Sequence, residues 1–165
     1  MFSKFKLASL FAIALAAFAD DVYEPLRLYR GIWLSRTEGQ SKSDEIANEC
    51  SKFDGYFACQ QTVNGKVGSL IVFVPGAKPG DYYVQAVLPD GRAAGRVDLR
   101  IDGNRWTYQN KGLDGDKIKY YRTTNVFADH DQIHFEQSES PDGAQWMVTG
   151  AGEETRKGST SLRAH

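Results

Sequence analysis

Residue types that usually carry chemistry are sparse in this chain. It has three histidines, His130, His134 and His165, and one dense run of ligand-type groups, Asp129-His130-Asp131-Gln132-Ile133-His134-Phe135-Glu136. In a strand, His134 and Glu136 share one face while Ile133 and Phe135 take the other. The apolar pair then belongs to a core and the polar pair to solvent or to a lumen. A helical i,i+4 pair of histidines would suit zinc, but this run reads as a turn followed by a strand, and H-E-x-x-H is absent. Asp114-Gly115-Asp116 begins like a calcium loop, yet Asn125 stands at the twelfth position, where a bidentate Glu belongs. Neither a G-x-S-x-G elbow nor a phosphate-binding Gly-rich loop occurs. No catalytic residue, metal or cofactor is expected on these grounds, and Glu153-Glu154 reads as solvated charge.

The two cysteines, Cys50 and Cys59, gain meaning from the N-terminus. Lys4 and Lys6 precede an apolar run from Leu7 to Ala19 that ends in Ala17-Phe18-Ala19. A basic end, a short apolar stretch and a small-x-small site together describe a signal peptide of residues 1–19, cleaved after Ala19. The run is too short for a permanent span of a bilayer core about 30 Å thick, so no membrane span is expected in the mature chain. Export to the periplasm or outside the cell makes a Cys50–Cys59 disulfide the default reading. The alternatives are two free buried thiols or a reactive pair.

The full chain has 165 residues with 20 basic and 21 acidic side chains. Removal of the leader takes away two lysines and leaves a mildly acidic domain. That balance argues against a nucleic-acid partner, and the length fits one self-sufficient core.

Turn dipeptides punctuate this domain: Asn64-Gly65, Pro79-Gly80, Asp90-Gly91, Asp102-Gly103, Asp114-Gly115 and Asp142-Gly143. Asn-Gly and Asp-Gly suit the positive φ of tight hairpin turns, and the spacing leaves about one strand between successive turns. β-rich runs cover 31–38, 56–63, 66–74, 82–88, 95–101, 105–110, 118–127, 132–138 and 145–150, with one more near 153–157. Leu70-Ile71-Val72-Phe73-Val74 reads as a strand covered on both faces. Helical signals are limited to residues 24–30, with Pro25 near the start, and to 43–52, where Ser43 offers an N-cap. Many short sequential strands expose edges unless they close. The expected fold is therefore all-β, an antiparallel up-and-down barrel of about 8–10 strands over residues 20–157, with residues 158–165 as a polar tail.

The segment Leu28-Tyr29-Arg30-Gly31-Ile32-Trp33 resembles the Gly-x-Trp start of the calycins, the superfamily of lipocalins and fatty-acid-binding barrels. The resemblance implies a helical turn across the barrel floor, Gly31 admitting the chain to the first strand, Trp33 buried across the bottom, and a late-strand Arg packed on it. Arg156 is the candidate for that partner. The chain differs in its short length, its small Cys50–Cys59 loop and the lack of a second lipocalin motif.

The resemblance implies a binder of a small apolar or amphipathic ligand. If the barrel holds a cavity, the lining candidates are Tyr83, Trp106, Tyr108 and Tyr121, with Arg100 and Arg122 as polar anchors. Two other classes remain open. One is a protein-binding module, such as an inhibitor of a protease or lysozyme, acting through a loop within 39–55 or 74–81. The other is an enzyme using the barrel mouth, with His134, Glu136 and a Tyr converging on a cavity.

Overall fold

A computed structural model describes residues 21–158. The expected leader, 1–19, and the tail beyond residue 158 lie outside the described residues.

Ten antiparallel strands close into a barrel: β1 (Gly31–Thr37), β2 (Asp44–Lys52), β3 (Phe57–Val63), β4 (Lys66–Pro75), β5 (Asp81–Val87), β6 (Val97–Asp102), β7 (Arg105–Asp114), β8 (Lys117–Phe127), β9 (Gln132–Ser140) and β10 (Met147–Arg156). Every strand pairs with its sequence neighbours, and β1 pairs with β10 to complete the circle. The topology is the up-and-down meander that the turn spacing implies. Asn64 and Gly65 at the β3–β4 turn both have positive φ, 52° and 73°, as a type I′ hairpin requires.

The tenth strand is not where the sequence suggests. Residues 145–150 and 153–157 belong to one strand, β10, bent by a bulge between Val148 and Gly150. The additional strand is β2, where Ser43 and its acidic neighbours signal a helix. Pairing overrides that cap signal: Gly31 to Ser35 of β1 pair along one edge of β2, and Phe57 to Val63 of β3 along the other. Cys50 and Cys59 are direct partners across β2 and β3 and are joined by a disulfide.

Alternation sorts the side chains. Directly paired residues share a face, so Trp33, Ile46, Phe73, Tyr82, Leu99, Trp106, Phe127 and Ile133 all point inward. The Leu70–Val74 run is covered on one face only, not on both. Phe73 is buried inside, but Leu70 and Val74 are each 40% exposed on the outer face.

One end of the barrel is closed by a single-turn 3₁₀ helix, Pro25–Tyr29. Leu26 is fully buried beneath it, and Tyr23 stacks on Phe57 with ring centres 6.4 Å apart. This floor, together with Cys59, Phe73, Tyr82, Leu99, Trp106, Phe127 and Ile133, is the dry core. Among the described residues no helix is long and apolar enough to cross a membrane.

Candidate functional site

At the closed end, the Arg156 guanidinium carbon lies 4.2 Å from the centre of the Trp33 ring, well within cation–π range. Arg156 pairs directly with Trp33 across β1 and β10. Its nitrogens donate to the Leu28, Arg30 and His130 carbonyls and to the Asp131 carboxylate, the last at 3.0 Å. One side chain thereby ties the floor helix, the first strand and the β8–β9 turn together. Gly31 is needed for this: its φ is +123°, and a Cβ there would collide with the Arg156 guanidinium. Trp33 Nε1 donates to the Tyr29 carbonyl at 3.3 Å, and Asn48 Nδ2 donates to the same oxygen at 3.2 Å.

Above the floor the interior changes character. An eight-stranded barrel is just filled by its own side chains, and the diameter grows with strand number, so ten strands enclose more space. Consistent with that, the inward positions at this level are half-buried rather than buried, among them Ser35, Gln61, Ile71, Asn110, Thr123, Asn125 and Glu154. Side chains that point into a closed wall yet keep free surface border internal space. Half-buried apolar groups, Ile46, Val63, Ala86, Val97 and Phe135, share the inner face with them.

A cluster sits where the dry core meets this polar level. The Tyr29 ring packs edge-on to Phe73 at 5.7 Å and stacks on Trp106 at 6.5 Å. Its hydroxyl meets Gln61 Nε2 at 3.5 Å, and Gln61 donates also to Asn48 Oδ1 at 3.1 Å. Tyr108 lies two residues beyond Trp106 on the same inward face of β7. Trp106 Nε1 and Tyr108 Oη are buried and have no hydrogen-bond partner, an unusual state for interior polar atoms. Burial pushes the Tyr29 phenol up to about 12, the nearby Glu154 carboxylate adding to the rise. Tyr108 is likewise raised well above the ordinary phenol value by burial, then by Tyr29 and Glu154. Both therefore stay neutral hydroxyls at any physiological pH. Glu154 pairs with Ser35 across the lumen wall; burial raises its carboxyl above the usual range, opposed by a hydrogen bond from Ser35.

At the open end, Lys119 pairs with Glu139 at 2.5 Å and with Asp114 at 3.4 Å. The hydrogen bond to Glu139 is the main cause of its raised pKa. Tyr121 lies below this rim, with the Lys119 ammonium 5.8 Å from its ring centre.

The six lining candidates thus divide. Trp106, Tyr108 and Tyr121 face the lumen. Tyr83, Arg100 and Arg122 face outward, because a strand places alternate residues on opposite sides and their neighbours Tyr82, Leu99 and Tyr121 hold the inside. Tyr83 lies 41% exposed under Arg96, whose guanidinium is 3.8 Å from its ring centre. Arg100 pairs with Asp81 at 2.8 Å, and Arg122 lies 4.2 Å over Trp146 on the outer wall. Two open grooves of about 580 Å³ each run across this outer surface, sharing Arg96, Asp98 and Gln109.

Two residues of the lumen cluster escape the sequence reading. Tyr29 sits in the floor helix rather than a strand. Glu154 looks like one of two solvated acids, but counting back two positions from Arg156 places it on the inner face. His134 and Glu136 lie on the outer wall, His134 Nδ1 being 3.6 Å from Glu153 Oε1, so they do not converge on the lumen. Among the described residues, no group of three or more His, Cys, Asp or Glu is placed to hold a metal ion.

The fold and the site define a closed ten-stranded antiparallel barrel with a plugged floor, an interior polar cluster and a polar rim. No protein-family model matches the chain, and no curated protein matches its sequence.

Proposed function

We propose that this chain is an exported binding protein of the calycin type that holds a small amphipathic ligand in its barrel lumen. The observation that carries this reading is the change inside a ten-stranded wall from a dry floor to a half-buried mixture of polar and apolar side chains. A ligand's apolar part would rest on the half-buried Tyr29, Ile71 and Tyr108, above the dry core of Phe73 and Trp106. Its polar part would meet Gln61, Glu154 and the neutral tyrosine hydroxyls. The Cys50–Cys59 disulfide suits an oxidising compartment. Native mass spectrometry of protein purified undenatured from its host should show a co-purifying small mass, released on acid unfolding. Spectra that repeatedly show the bare chain alone would contradict the reading.

One further observation favours a protein partner as a second role. Phe53 and Tyr56 stack at 4.8 Å on the β2–β3 turn and remain 45% and 40% exposed. Exposed rigid aromatics beside a disulfide-pinned hairpin are typical anchors of protein interfaces. Phe53→Ala should abolish capture of such a partner and leave lumen binding intact. Capture at unchanged strength would remove that role.

A further inference from the structure

Charge inside the lumen is lopsided. Between the floor and the rim, the inward positions carry a single formal charge, Glu154. The basic groups that face inward lie at the ends: Arg156 and Lys52 are at the floor with Asp131 and Asp21, Lys119 at the rim is neutralised by Glu139 and Asp114, and the exposed Lys66 stands at the β3–β4 turn. Arg100 and Arg122, the polar anchors suggested by the sequence, face outside. Glu154 has no basic group within ion-pair distance among the described residues; its polar contact is Ser35. The Tyr29 and Tyr108 hydroxyls share the inner face and feel its charge, and Tyr29 is packed with Phe73 and Trp106.

A partly buried carboxylate with no counter-charge is costly, because desolvation is not offset by a partner. Aromatic faces attract cations through their quadrupole, most strongly when water is excluded. A positively charged amine would answer both conditions, giving N–H donors to the Glu154 carboxylate while its chain lies along the apolar wall. A fatty acid would bring a second negative charge beside Glu154, which has no counter-charge of its own.

Resting on the lumen reading above, we infer that the ligand is an organic cation, an amphipathic primary or substituted amine whose nitrogen sits between Glu154 and the Tyr29 and Tyr108 rings. Three ten-carbon probes separate the possibilities by titration calorimetry at pH 7: decylamine, decanol and decanoate. A charge-assisted hydrogen bond to a buried carboxylate corresponds to about a tenfold gain or more. Decylamine should therefore bind at least about tenfold more tightly than decanol, and decanoate most weakly. Glu154→Gln should bring decylamine to the level of decanol while leaving decanol within about twofold. The isosteric change also relieves an unpaired charge, so an unchanged or higher melting temperature confirms an intact barrel. Decanoate binding as well as decylamine, or an amine preference that survives in E154Q, would overturn the cation assignment and leave the lumen reading standing. If none of the three binds, both fall together.

Discussion

Arg156 shows how one side chain can fix the closed end. Its planar guanidinium covers the Trp33 ring while its nitrogens reach three carbonyls and the Asp131 carboxylate. A lysine has the charge but neither the plane nor the fork. Arg156→Lys should therefore destabilise the fold by about 1–2 kcal/mol, measured by urea unfolding; a change within error would mean the pair is ornamental. Glu154 makes an opposite contribution. Its folded-state pKa is raised, so no penalty exists below the unfolded value of about 4.3. The penalty grows as pH rises through the unfolded and then the folded pKa, and is complete above both. E154Q should accordingly raise Tm at pH 7 and leave it nearly unchanged at pH 4. An equal gain at both values, or a loss at pH 7, would contradict the assignment of Glu154 to the interior.

Among the elements, the β2–β3 hairpin is held by more than strand pairing. The disulfide closes a loop spanning a sequence separation of 9, for which chain-entropy estimates give about 2–3 kcal/mol. The double variant Cys50→Ser with Cys59→Ser should lose about that much in urea unfolding, and a loss under 0.5 kcal/mol, roughly the scatter expected of surface changes, would show that barrel closure alone holds the hairpin. This hairpin is also where local sequence misleads. Ser43, Asp44 and Glu45 form a good helix start, but Ile46, Asn48 and Cys50 alternate with Glu45, Ala47 and Glu49, a period-two pattern visible in the chain. Elsewhere the strands are legible because Asn-Gly and Asp-Gly turns bound them and few competing local signals intervene. Facing is harder to read than strand existence. In Tyr82-Tyr83 and Tyr120-Tyr121 either ring fits a core, and only pairing with Leu99 and with Asn110 puts Tyr82 and Tyr121 inside. Tyr83, Arg100 and Arg122 were misplaced for that reason, since one residue of register moves a side chain across the wall.

The whole molecule has two unlike ends: a dry, plugged floor secured by Trp33 and Arg156, and a polar rim at Lys119 and Glu139. Between them the Tyr29, Trp106, Tyr108 and Glu154 cluster is the central claim, because a wider barrel is meaningful for function only if something occupies it. The three tryptophans report on three separate places. Trp33 Nε1–H is bonded to the Tyr29 carbonyl at the floor, Trp106 Nε1–H is unpartnered beside the cluster, and Trp146 lies on the outer wall under Arg122. The most direct test follows the three indole N–H resonances by ¹⁵N–¹H NMR during titration with decylamine. Trp106 should shift progressively and saturate while Trp146 stays in place. A titration that moves Trp146 and leaves Trp106 unchanged would put binding on the outer wall and contradict the lumen site.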